Sequence, residues 1–221
     1  MKNTFIRFLL VSFALPGHGI SQEILNNSLE SLPIGNQEWA IKNLEVTHFN
    51  NGDPLYEANS FEEWENACIK GLPAWCYYNN NPEYGKKYGK LYNWWALIDP
   101  RGLIPEGWHI PSEKEWAELA DYLGGMDAAG EKMKSGKGWK KAFGGDNASG
   151  FAGIPGGYRS HEGSGFAGGP FYGVGSTGIW WSSSRYLVDN GWCFMLSDQN
   201  QKLDKVSFVR TAGLSVRFIK D

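Results

Sequence analysis

The chain has 221 residues and a formal net charge of −3. That length supports one domain with a real core. A mildly acidic balance with scattered Lys and Arg excludes the electrostatic footprint of a nucleic-acid binder and argues against non-specific attachment to a membrane surface. Eleven Trp and 29 Gly point to a loop-rich domain whose irregular segments are pinned by large rings.

In chain order, residues 1–21 read as a secretory signal. Lys2 and Arg7 give the positive start, residues 8–15 the short apolar core, and Gly17, Gly19 and Ser21 the small residues before cleavage. The apolar run is too short to span a bilayer, and no membrane span is expected in the mature chain. Residues 22–36 read as a loose leader, and residues 37–221 as a single domain.

Trp39 to Val46 alternates as a first strand, and residues 50–54 (NNGDP) form a turn. Ser60 with Glu63 starts a helix whose apolar face is Phe61, Trp64, Ala67 and Cys68, ending at Gly71. Residues 74–78 (AWCYY) read as a short strand before the turn NNNP. The run KLYNWWAL (90–97) is core of ambiguous type. GWHIPSEKEW (107–116) then places Ser112 as a helix cap and Glu115 as its reciprocal partner, a capping box. Trp116, Leu119, Ala120 and Leu123 share the apolar face, and Gly124-Gly125 stops the helix.

Residues 126–179 show no sustained period. Trp139, Phe143, Phe151, Tyr158, Phe166, Phe171 and Tyr172 supply anchors that a disordered segment lacks, so an ordered long loop is expected. Strands return at 178–184, 191–196, 205–210 and 214–219.

The chemistry-bearing residues are sparse. Three cysteines, Cys68, Cys76 and Cys193, allow one disulfide in an oxidising compartment, and their spacings match no zinc motif. His109, between Trp108 and Ile110, reads as a hydrogen-bonded structural residue. No Ser, His and acid form a nucleophile elbow, and residues 163–169 lack the context of a phosphate loop. No cofactor and no metal are expected; Asp146 and Asn147 are only a pair of oxygen-bearing loop residues. A binding surface is the reading that survives, since Tyr, Trp, Ser, Gly and Asn make adaptable contact surfaces. Its candidate contacts are Arg159, His161, Tyr172, Trp180, Arg185 and Asn190. Neighbouring strand residues face opposite ways, so one of Trp180 and Trp181 is expected in the core and the other on the surface.

The segments AWCYYNNNPEYGKKYGKLYNWWAL (74–97), RGLIPEGWHIPSEKEWAELADYLGG (101–125), GEKMKS (130–135), SGFAGIPGGYR (149–159), GIWWSSS (178–184) and GLSVRFIKD (213–221) occur in an order that resembles the Fibrobacter succinogenes major paralogous domain of secreted Bacteroidetes proteins. That family is similar in turn to the formylglycine-generating-enzyme branch of the C-type-lectin-like fold, through the helix start at residues 111–116.

The resemblance implies an α+β, C-type-lectin-like domain with small antiparallel sheets, paired terminal strands, two flanking helices and a long ordered loop region. The formylglycine-generating relatives use two late cysteines to bind copper; this chain has only Cys193 in its C-terminal half, so a formylglycine-generating-type oxidase is the lesser alternative and a domain without enzyme activity is expected. Sugar-binding relatives hold calcium with Glu-Pro-Asn or Gln-Pro-Asp and a Trp-Asn-Asp strand; here the strand reads Trp-Trp-Ser-Ser. Family members often end in Val-Arg-Cys, where this chain has Phe218, so a family disulfide through that position is lost. The function expected is a secreted or cell-surface, non-catalytic binding module for a glycan or protein, with a structural component of the cell envelope as the alternative.

Overall fold

A computed structural model describes residues 30–140, 143–160 and 169–221. The segment read as a signal, 1–21, and His161 lie outside the described residues. Among the described residues, five α-helices, where two flanking helices were expected, and several small sheets make an α+β arrangement.

The first sheet joins the two ends of the domain. β1 (Ser31–Ile34) and β2 (Gln37–Ala40) form an antiparallel hairpin. The last strand, β12 (Ile219–Lys220), runs beside β2 with Ile219 opposite Trp39, and beside β6 (Trp108–His109) on its other edge. The terminal strands therefore pair, as the resemblance implied. β1 lies in the segment read as a loose leader. Its period-2 signal is short: only Leu32 and Ile34 turn inward, onto the core around Trp39 and Trp116.

The helix starts were legible. In α1 (Phe61–Ile69) the Ser60 hydroxyl accepts from Glu63 N–H, while the Glu63 carboxylate accepts from Asn59 N–H rather than from the cap itself. In α4 (Glu113–Tyr122) the capping box is complete. Between them, β3 (Tyr56–Glu57), β4 (Ala74–Cys76) and β5 (Leu91–Tyr92) make a small sheet, with α2 (Pro82–Tyr88) and α3 (Trp94–Ile98) around it. The ambiguous run 90–97 thus holds a strand, from Leu91, that turns into a helix at the cap Asn93.

The stretch expected as one long loop holds more regular structure than that. It contains α5 (Met126–Met133) and a hairpin of β7 (Gly156–Arg159) and β8 (Phe171–Val174). Phe151 is its deepest anchor, with its ring 5.7 Å from both Trp39 and Trp116 and 5.5 Å from Trp180.

The organising element is the antiparallel meander β9 (Thr177–Tyr186), β10 (Asn190–Ser197) and β11 (Leu203–Val209). Both faces are covered. Trp181, Ile179 and Cys193 point into one core; Trp180, Phe194 and Leu196 point into another, under Trp116 of α4. Trp180 and Trp181 are therefore both fully buried, correcting the expectation that one is exposed. Alternation separates the two rings, but each side has its own cover.

The strand expected at 214–219 shortens to β12. Residues 214–218 are buried and pair through single bridges, Leu214 with Tyr92 and Ser215 with Trp180, and through backbone hydrogen bonds from Ala40 N–H to the Phe218 carbonyl and from Leu44 N–H to the Val216 carbonyl. The three cysteines are free and buried.

Candidate functional site

Two of the sequence-derived contact residues are core residues. Arg159, on β7, is 1% exposed. Its guanidinium donates to the Ser60 carbonyl (3.1 Å) and Asn80 Oδ1 (3.4 Å), and lies between the rings of Trp64 and Phe171. It locks the start of α1 to the Asn80 turn and cannot reach a ligand at the surface. Trp180 donates its indole N–H to Asn43 Oδ1 at 2.7 Å deep in the core.

Three other candidates, Tyr172, Arg185 and Asn190, are accessible, in two places. Tyr172 is exposed on β8, its ring 6.0 Å from that of Tyr158. Arg185 is exposed and Asn190 half-buried at the mouth of the β9–β10 hairpin, where Asn190 pairs with Tyr186 and Gly191 with Arg185.

This hairpin end carries a cluster that sequence reading missed. The pairing register shifts between Gly191 and Cys193, a bulge that re-aims side chains locally. Beside it, the half-buried rings of Tyr186 and Trp192 lie 4.2 Å apart, tilted by 44°. The Lys205 ammonium sits 4.0 Å from the centroid of the Trp192 ring and is paired with Glu113 at the first turn of α4. Ser184 donates its position to the same corner, its hydroxyl accepting from Glu113 N–H at 2.9 Å. Trp192 and Phe194 share a strand face. α4 covers Phe194, whose ring stacks on Trp116 at 4.9 Å, but α4 begins at Glu113 and stops short of Trp192. Alternation alone could not separate these two rings.

A second polar centre surrounds His109. Its Nδ1 is 2.7 Å from Asp221 Oδ1 and its Nε2 is 2.9 Å from Glu115 Oε1. Burial opposes the imidazolium, but the two carboxylates outweigh it, and the His109 pKa is raised. Burial likewise opposes the Glu115 carboxylate; the Ser112 N–H and hydroxyl and His109 outweigh it and hold its pKa down. The Ser112 hydroxyl donates to Glu115, 2.8 Å away. The order is serine, glutamate, histidine, aspartate, so the imidazole faces acids on both sides and stands next to no nucleophile. This is the geometry of a structural clamp.

The thiols are equally unsuited to attack, since the thiolate is the reactive form. Burial pushes Cys68 up to about 12, against the pull of Arg159, and Cys76 up to about 11. Cys193 is also raised by burial. Among the described residues, no group of three or more His, Cys, Asp or Glu is arranged to hold a metal ion, and no helix is long and apolar enough to cross a membrane.

The model of the Fibrobacter succinogenes major domain matches residues 32–220. The chain belongs to that family. The match begins at Leu32 in β1 and ends at Lys220 in β12, so it spans both strands that close the terminal sheet. Comparison with curated proteins and with solved structures gives no match.

Proposed function

We propose that this member of the Fibrobacter succinogenes major domain family is an exported, non-catalytic binding module with a C-type-lectin-like fold, acting at or beyond the cell surface on a glycan or protein. The fold reading is supported by the paired terminal strands, by α1 and α4 flanking the sheets, and by the long segment between α4 and β9. Export is supported by the charge, apolar run and small residues of 1–21.

The observation that carries the binding reading is the Tyr186–Trp192–Lys205 cluster beside Arg185 and Asn190. It offers aromatic area at small conformational cost, flanked by groups that donate and accept hydrogen bonds. The buried thiols and the carboxylate-clamped histidine support a role without catalysis. A structural role in the cell envelope is favoured by a separate feature: Ile69, Leu72 and Ile98 are 70%, 45% and 44% exposed, and large exposed apolar residues of this kind suit permanent contacts.

A glycan array probed with the purified protein, in calcium and again in chelator, tests the first reading. Specific binding that survives in chelator is the expected result, because the reading needs no metal. A blank array would remove the glycan ligand and move the assignment to protein partners.

A further inference from the structure

The tip of the β9–β10 hairpin carries two residues that the ligand-binding reading does not use. Its turn is Leu187-Val188-Asp189. Leu187 and Val188 are 72% and 78% exposed, more than the other exposed large apolar residues in the described chain. Turn tips ordinarily carry Gly, Asn or Asp. Leu187 also sits in the left-handed region, with φ 53°, where a bulky side chain is uncommon and Asn is enriched. A strained residue that persists at an exposed tip points to a use for its side chain.

The tip is also held rigid. Arg210 donates its backbone N–H to the Asp189 carbonyl at 2.9 Å and its guanidinium to the Val188 carbonyl. Its two aliphatic side chains are thus presented on a fixed turn. Behind the apex come Tyr186, half-buried, and then the exposed guanidinium of Arg185. This is a graded profile: aliphatic apex, amphipathic ring, cationic collar. It matches the depth profile of a lipid leaflet, in which aliphatic groups enter the acyl boundary, Tyr and Trp lie at the headgroups and basic side chains meet the phosphates. The nearby acids are Asp189 on the turn and Glu113, which Lys205 already pairs. Arg185 and Arg210 against Asp189 leave the collar cationic on a chain whose overall charge is −3, so the attraction is local to the hairpin.

We infer that this hairpin tip docks on an anionic phospholipid surface, with Leu187 and Val188 entering the headgroup–acyl boundary and Arg185 contacting lipid phosphate. Two aliphatic residues give reversible rather than permanent attachment. Trp192 and Lys205, behind the tip, stay available for a separate ligand, while Tyr186 and Arg185 are shared between the two surfaces.

The test is flotation of the purified protein with vesicles of phosphatidylglycerol and phosphatidylethanolamine, alongside phosphatidylcholine vesicles. The wild type is expected to float with the anionic vesicles. Leu187→Asn with Val188→Asn is expected to lower the bound fraction about tenfold or more. Because the variant keeps the same N-terminus, the difference reads the tip alone. Leu187→Asn by itself is expected to hold or raise the melting temperature, since Asn tolerates φ near +55°, so lost flotation cannot be put down to unfolding. Arg185→Gln is expected to weaken binding to anionic vesicles only. Wild-type protein that does not float, or a double variant that floats as well as wild type, would overturn the inference. A tip that leaves vesicles untouched but is needed for binding a protein would also overturn it.

Discussion

His109 shows how one residue ties chain ends to a helix start. The imidazole spans Glu115, in the α4 capping box, and Asp221, the last residue. Its pKa is raised above 6.5, so its stabilising contribution is complete below the unfolded value and is lost as pH rises through the folded value. Glu115 is the opposite case. Its pKa is held below 4.5, so its contribution is present above that value and is lost as pH falls through the folded one. The melting temperature is therefore expected to be highest between these limits and to fall on both sides. His109→Asn should flatten the alkaline side and reduce the acidic side only in part, since Ser112 still holds Glu115 down; an alkaline decline unchanged in that variant would refute the clamp. The cysteines give a second residue-scale expectation. All three are buried, and their thiols stay protonated at neutral pH. A maleimide reagent should leave the native protein unlabelled and label three sites in denaturant. Rapid native labelling, or a disulfide by mass, would contradict the packing. The capping half of the His109 network was legible because Ser112 and Glu115 are three residues apart. The Asp221 half was not, because it depends on β6 lying beside β12.

Elements follow sequence period where one face is open and depart from it where both are covered. α4 was readable from end to end, and Ser112→Ala is expected to cost about 1 kcal/mol in urea unfolding. α5 was not readable, because Gly130 interrupts the pattern inside it. The structure explains that glycine: a Cβ there would lie 2.2 Å from the Lys202 carbonyl oxygen, where α5 meets the start of β11. Gly130→Ala should destabilise the protein by about 1–3 kcal/mol through overpacking, despite alanine's better helix propensity. A stabilised Gly130→Ala protein would show that this contact is wrong. The segment 214–218 failed to read as loop for the converse reason. Its alternation is real, but the chain runs through the interior, so neither side of the pattern reports solvent.

At the scale of the molecule, the meander β9–β11 divides the interior, and Arg217 pins the far side. Arg217 is fully buried and donates to the carbonyls of Ala40 (2.8 Å) and Phe151 (3.0 Å) and to Asn43 Oδ1 (3.1 Å). Burial lowers its pKa, and these carbonyls with the Phe151 ring, 4.5 Å away, are what hold the cation in place. It joins the first sheet to the long segment before β7. Arg217→Ala should cost roughly 3 kcal/mol or more, because it removes the guanidinium donors to the Ala40 and Phe151 carbonyls and opens a cavity. The same burial explains why candidate contacts were hard to choose. Arg159 and Arg217 look like surface residues by type, yet both are cations packed on aromatic rings inside the domain. Arg185 was a candidate contact from sequence, and it is exposed near the end of β9. Trp192 was not, because its exposure depends on where α4 begins.

The measurement that bears most directly on the binding assignment is the affinity of Trp192→Ala for a ligand found on the glycan array, beside its melting temperature. Trp192 is half-buried near the hairpin end of β10, the central strand of the meander, so its removal should leave the fold intact. The account predicts a loss of binding of about tenfold or more with a melting temperature near that of wild type. Undiminished binding by a folded Trp192→Ala protein would contradict it and place the ligand elsewhere on the domain.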